Sequence, residues 1–466
     1  MRLIKKLKKY KLTIFEIFIS FFLIASIPVG LIYAKFRQLT YQADWTVGEW
    51  LINYQGGFTR RGLPGSIIYH ISSNYYLPPW LIAFTISIIF WLCLTVLLLY
   101  LTRKNFSPII ILSSFVCLSP LVGEYLVRKD CFNLLILAIS SLLASSINNS
   151  KKINLELSQL FILNLLGSIA ILTHESYFFY AIPSLAIIFT YSNRDKFFSF
   201  RKRLLNALIK LSPMFFITLL CYLFKGNESI AISINNSWKS LEPFIPGEYF
   251  ENPSGAIKMI GMPTEFHLKY SLSPIIFKLA NGFIWKPISL FFSTSILYVL
   301  LSSKQILKSE EARSNAQVIR KIFILINLTM LPIFIAGHDY GRWLFMILTT
   351  TILTANILIS QKSIEINQKT FLGFFNKFLW NPPSLLNWQF LIVTLFFGIP
   401  PYWQIWSLSL VLKTSIVGFL TQFGVDIIYK LTNNQINFNI SFLISSFIIL
   451  YICLTIKRNT NLEKRN

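Results

Sequence analysis

The densest chemistry in the chain falls in one stretch, Asp44-Trp-Thr-Val-Gly-Glu49-Trp-Leu-Ile-Asn53-Tyr-Gln-Gly-Gly57-Phe-Thr-Arg60-Arg61-Gly-Leu-Pro-Gly65. Gly56, Gly57, Gly62 and Gly65 let the backbone turn sharply and approach a ligand closely. Arg60 and Arg61 carry forked donors that match phosphate oxygens. A carboxylate upstream, Asp44 or Glu49, completes a pattern suited to a diphosphate-linked substrate, one group taking a proton while the other holds the leaving group. Asn53 and Gly57 join the arginines as candidate substrate contacts. The plainer alternative is an interfacial loop whose arginines bind lipid headgroups.

Three further clusters carry ionisable groups. Glu124-Tyr-Leu-Val-Arg128-Lys129-Asp130 joins two apolar runs, and Arg128 with Asp130 is either a staple between helices or a substrate contact. His174-Glu175 falls in a tight turn, where one residue titrates near neutral pH and the other orients it. His338-Asp339-Tyr-Gly-Arg342-Trp343 is the analogous turn further on, with Asp339 and Arg342 the informative pair. Its aromatics alone would be ordinary residents of a membrane interface. Gly261-Met-Pro-Thr-Glu265-Phe-His267 adds a weaker cluster, with Glu265 or His267 capping a cavity. A divalent metal stays open, since His and carboxylates occur together, but no HExxH or comparable spacing specifies one.

These residues must be positioned by something, and composition says what. Of 466 residues, 54% are hydrophobic and 13% charged, about half the charge of a soluble protein, which is roughly 25%. That excludes a cytosolic enzyme, a disordered scaffold and a secreted disulfide framework. The fold expected is all-α, a polytopic membrane bundle of about 12 spans forming one domain over 1–466. Spans are expected near 12–34, 80–101, 107–123, 131–147, 158–173, 177–191, 205–224, 284–302, 322–337 and 342–360, with two or three more between 388 and 456. The first is read as a retained anchor.

Net charge is +24, yet the basic residues cluster between apolar runs as the positive-inside rule requires, so no nucleic-acid partner is expected. The rule places the loops near 103, 151, 194–203, 303–321 and 361–377 inside, with the N-terminus and the C-terminal tail. The long loops 35–79 and 225–283 then lie outside. All four histidines and eleven of the nineteen acids fall on that outer side. An ionised group at membrane depth is costly unless paired or functional. The five cysteines, Cys93, Cys117, Cys131, Cys221 and Cys453, form no CxxC pair or zinc spacing.

The run Asn53 to Gly65, with Arg128-Lys-Asp130, His174-Glu175 and Asp339-Tyr-Gly-Arg-Trp343, resembles a group of bacterial membrane proteins of surface-polysaccharide synthesis. The arrangement also resembles the GT-C glycosyltransferase superfamily, whose members have many spans and an acidic residue in the first long outer loop. The likeness spans about residues 40 to 345 and rests on short motifs. It implies glycosyl transfer from a polyprenyl-phosphate donor to a glycan or lipid-linked acceptor at the outer face of the bacterial cytoplasmic membrane. Asp44 would be the base, Arg60, Arg61 and Arg342 the phosphate clamp, and His174 with Glu175 the sugar-positioning pair. The GT-C pattern often pairs two acids, whereas Glu49 here lies five residues after Asp44. An oligosaccharide polymerase of the O-antigen type, or a flippase for lipid-linked sugars, would use the same loops. A transporter should instead show polar groups near the midplane and broken helices in related positions, and the chain's candidates sit at outer helix ends.

Overall fold

The computed structural model describes residues 45–102, 127–149, 153–191, 199–244, 252–267, 269, 322, 325–333 and 340–360. Asp44, Glu124, His338 and Asp339 lie outside these residues. So do the expected spans at 12–34, 107–123 and 284–302 and those after 388. The described residues up to 267, with 322, 325–333 and 345–360, belong to one unit, and 269 and 340–344 to another.

Every regular element among the described residues is a helix. Two short ones come first, α1 (Val47–Leu51) and α2 (Gly62–Tyr75). The long α3 (Pro79–Thr102) begins at the second residue of a Pro-Pro pair, and proline is well suited to a first helical turn because its missing N–H would be unpaired there anyway. This helix is apolar on all sides. Trp91, Leu94 and Leu98 are buried, while Ile89, Leu92, Val96 and Tyr100 face outward, as expected of a helix with protein on one side and lipid on the other.

The helices α4 (Asp130–Asn149) and α5 (Ile153–Thr173) complete three that, among the described residues, are each long and apolar enough to cross a membrane. The chain is thus a helical protein with several membrane-spanning candidates. Small residues of α4, including Ala138, Ser140, Ser141 and Ala144, are buried, which lets neighbouring backbones approach; α4 packs on α3, α5 and α6 (Tyr177–Thr190). With 14 residues, α6 extends only about 21 Å against a hydrocarbon core of about 30 Å.

The span expected at 205–224 falls on two helices that are long and apolar enough to cross a membrane only when taken together. They are α7 (Phe200–Lys210) and α8 (Ser212–Leu223), bent by 58°. Pro213 stands in the first turn of α8, where it has no N–H to continue the ladder and its ring crowds the preceding turn. The Lys210 carbonyl accepts a hydrogen bond from Asn164 Nδ2 of α5 at 3.0 Å. Lys210 Nζ pairs with Glu156 at 3.2 Å. Gly167 of α5 leaves room for Met214, whose Cε would lie 2.1 Å from a Cβ there.

Both long loops expected on the outer side carry helices among the described residues. After α8 come α9 (Glu228–Ser237), a 3₁₀ turn (Trp238–Phe244) and α10 (Gly255–Gly261). They pack onto the first loop through Ile52, Ala231, Ile234, Ala256, Ile257 and Ile260. Each buried isoleucine contributes about 1.5–3 kcal/mol. Trp238 Nε1 donates to the Leu51 carbonyl at 3.0 Å, and Asn53 Nδ2 to Ser237 Oγ at 2.8 Å. The loops together form one helical cap.

The last described helix, α11 (Tyr340–Ser360), coincides with the span expected at 342–360. In the first unit, its Asn356 Nδ2 donates to Leu101 O at 3.0 Å and its Thr354 hydroxyl meets Ser184 Oγ at 2.5 Å.

Candidate functional site

The site is built where the cap meets the ends of α4, α5 and α6. The chain enters it through a turn in which Gly57, at φ +108°, donates its N–H to Tyr54 O at 3.0 Å. The turn delivers Arg60 and Arg61. Arg61 caps α2 in the left-handed region at φ 66°, a conformation that costs a non-glycine residue about 1–3 kcal/mol unless its surroundings enforce it. The enforcement is visible. Lys129 Nζ donates to Arg61 O at 3.2 Å, and Arg60 N–H donates to Phe224 O at 3.1 Å. Gly65 serves this folding rather than an open ligand cradle: a Cβ there would stand 1.9 Å from Ile52 O, so the close approach is made to the chain's own backbone, whereas Gly57 has open space where a Cβ would be.

The charged side chains alternate in a row. Arg60 Nη1 donates to Glu175 Oε1 at 3.2 Å. Arg61 grips the same carboxylate with two nitrogens, Nη2 to Oε1 at 2.6 Å and Nε to Oε2 at 2.8 Å. Its Nη1 lies 3.9 Å from Glu49 Oε1, which accepts from Arg128 Nη1 at 2.6 Å. The order is therefore Arg60, Glu175, Arg61, Glu49, Arg128. Charges this close to apolar helices are tolerable because each has an opposite neighbour. Burial would raise the Glu175 carboxyl, but Arg61, Arg60 and, to a smaller degree, His174 more than offset it and hold it well below the ordinary 4.5. Burial also lowers Arg60 from its usual range, with Glu175 opposing.

The two arginines differ in commitment. Arg61 is bound at both edges. Arg60 makes one long contact to Glu175, and its Nε is buried without a hydrogen-bond partner. Arg60 is the better placed to take a phosphate oxygen.

Lys129 anchors the floor. It is fully buried and also donates to Thr173 O, the last carbonyl of α5, at 3.3 Å, with its ammonium 5.8 Å from the centre of the Trp50 ring. A cation at a helix C-terminus is favoured by the helix dipole. Trp50 Nε1 donates to Val127 O, and Asn133 Nδ2 to His174 O at 3.3 Å. His174 Nδ1 accepts from the Ser176 N–H at 3.2 Å, so a neutral His174 ring carries its proton on Nε2.

Among the sequence candidates, Glu49, Arg60, Arg61, Arg128, His174 and Glu175 come together here. Asp130 is buried at the first residue of α4. Asn53 holds the cap through Ser237, and its Oδ1 accepts from Gln55 N–H at 3.1 Å. Arg342 stands in the first turn of α11, in the second unit. Asp44, His338 and Asp339 lie outside the described residues. Lys129, Trp50 and Asn133 had not been singled out as functional. The signal for Lys129 is a connection expected on the outer side, where a lysine runs against the positive-inside rule. Among the described residues, no three His, Cys, Asp or Glu side chains converge as metal ligands. Compared with known protein families, curated proteins and solved structures, the chain gives no match.

Proposed function

We propose that the protein is a GT-C-like glycosyltransferase of the bacterial cytoplasmic membrane. It moves a sugar from a polyprenyl-phosphate donor to a glycan or lipid-linked acceptor at the outer face, in cell-surface polysaccharide or glycoconjugate synthesis. The observation that carries this reading is the row from Arg60 to Arg128, at one end of apolar helices and beneath a helical cap. A lipid-linked donor brings its chain through the bilayer and its phosphate to the helix ends, where Arg60 has donor capacity to spare. In the reaction the acceptor oxygen bonds to the anomeric carbon as its proton passes to Asp44. The bond from that carbon to the phosphate oxygen breaks, and polyprenyl phosphate leaves on Arg60. Glu175 and Glu49 hold Arg61 in place; their part is positioning.

The flippase reading gains one observation, the broken helix at Pro213, since broken helices line transporter sites. The carbonyl at that break is satisfied by Asn164 and the neighbouring Lys210 by Glu156, so the break is packed within the protein.

The test is sugar transfer from a lipid-linked donor by purified protein in nanodiscs, measured with donor binding. Asp44→Asn should lower turnover by about 10²- to 10⁴-fold and leave donor binding intact. Arg60→Lys, which keeps charge but loses the fork, should weaken donor binding. Full turnover in Asp44→Asn removes Asp44 as base, and donor binding unaffected by Arg60→Lys removes the phosphate clamp.

A further inference from the structure

The helix α7 exposes two kinds of side chain that belong in different surroundings. Arg201, Lys202, Leu205, Asn206 and Ile209 are all exposed, and at 3.6 residues per turn they share one side of the helix. Leu205 and Ile209 run along the middle of that side, with Arg201 on one flank and Lys202 on the other. Ala207, on the opposite side, is buried, and α7 packs on α6. Water alone would leave Leu205 and Ile209 unburied, and hydrocarbon alone would strip the two cations of their solvent. The boundary between the two suits both, since basic side chains reach back to the headgroups while apolar ones enter the acyl region.

The contacts of the helix fit that depth. Its last residue is held to α5 at two points: Lys210 Nζ donates to Glu156 Oε1 at 3.2 Å, and Lys210 O accepts from Asn164 Nδ2 at 3.0 Å. Since α5 begins at Ile153, both points lie within its first three turns or so, about 16 Å from that end. The 58° bend then turns the 11 residues of α7 obliquely to the line of α8.

Charge selects the lipid. Among the described residues, no carboxylate pairs with Arg201, Lys202 or Arg203, and Arg203 Nε is buried without a hydrogen-bond partner. Lys210, by contrast, is neutralised by Glu156. Three uncompensated cations within one turn favour headgroups with net negative charge over zwitterionic ones, whose phosphate carries its own ammonium.

We propose that α7 is an interfacial anchor for anionic phospholipid, Arg201 and Lys202 reaching the headgroup phosphates while Leu205 and Ile209 enter the acyl boundary. The surface lies at the far end of α8 from Phe224, whose carbonyl holds the Arg60 N–H, so it stands apart from the glycosyl-transfer reading.

The test uses the full chain in nanodiscs, with the five native cysteines replaced and a dye attached at Asn206→Cys. Spin-labelled phosphatidylglycerol or spin-labelled phosphatidylcholine, at equal mole fraction in phosphatidylcholine, quenches the dye according to its local concentration. Phosphatidylglycerol should be enriched about fivefold or more, the worth of one cation at an anionic surface, and added salt should reduce the enrichment. Arg201→Gln with Lys202→Gln should remove most of it at an unchanged Tm, whereas the charge-keeping pair Arg201→Lys with Lys202→Arg should retain it. Equal quenching by the two lipids in the parent chain, or an enrichment undiminished in the double glutamine variant, overturns the lipid assignment. A dye moved to Ile209→Cys should emit as in an apolar boundary, and water-like emission there overturns the interfacial placement.

Discussion

Glu175 receives both arginines of the double-arginine turn, and its removal should be felt first as lost packing order rather than lost catalysis. Glu175→Gln keeps the volume but leaves Arg60 and Arg61 facing each other. With the carboxylate about one-fifth exposed, the expected cost is about 1–3 kcal/mol, measured as a lower Tm in detergent. The double variant Arg61→Gln with Glu175→Gln should recover part of it, and strictly additive losses would show that the pair is not coupled. The pH dependence has a defined sign. Because the folded Glu175 carboxyl lies below the ordinary 4.5, its stabilisation is complete above that value and is lost as pH falls toward the folded one. The difference between wild type and Glu175→Gln should be flat from pH 5 to 8 and shrink below 4.5. At this scale much was legible in the sequence: arginines expected at outer helix ends, against the inside rule, are expected to pair with the acids grouped there. Which acid each arginine takes was not, since Glu175 is more than a hundred residues from Arg61 and only the fold brings them within reach.

The bend between α7 and α8 shows what pattern reading catches at the level of elements and what it misses. The apolar run 205–224 marks a span, and Pro213 alone warns of a break. Asn164, an isolated polar residue in the middle of α5, carries no periodic signal that would link it to residue 210; its use depends on helix packing. The helices of the two outer loops were illegible for a related reason. Five- to ten-residue helices such as α1, α9 and α10 are too short to be stable from propensity alone and exist because their apolar faces meet. Two outcomes follow. Asn164→Leu leaves the Lys210 carbonyl without its side-chain donor and should cost about 1–3 kcal/mol, read as a Tm shift of the purified protein, with no change in which side of the membrane each loop occupies. Gly65→Ala drives a Cβ into the Ile52 carbonyl and should cost more, with loss of donor binding, because it displaces the turn that delivers Arg60 and Arg61. An unchanged Tm in Gly65→Ala would mean that α2 does not enter against residues 50–52.

From α4 to α8 the helices alternate in direction, and this bears on sidedness. The ends at Asp130, Thr173 and Phe224 gather near Arg61. At the opposite ends, Asn148 Nδ2 donates to Ile188 O at 3.0 Å and Gln159 Nε2 to Ser146 Oγ at 2.9 Å. The start of α7, with exposed Arg201 and Lys202, belongs to these opposite ends, since α8 finishes under the cap. Exposed Arg201 and Lys202 thus stand at one end and the ion-paired Arg60, Arg61 and Arg128 at the other. The positive-inside rule acts on Lys and Arg in short loops, so the topology to be tested has the α7 end in the cytoplasm and the cap outside. Cysteine labelling decides it. In a background with the five native cysteines replaced, Asn236→Cys on exposed α9 should react with an impermeant maleimide in intact cells, and Ser199→Cys, exposed at the start of α7, should react only after the membrane is opened. Reaction of Ser199→Cys from outside would invert the bundle. The arginine row would then face the cytoplasm, where nucleotide-linked sugars are available, and a lipid-linked donor at the outer face could no longer be its substrate.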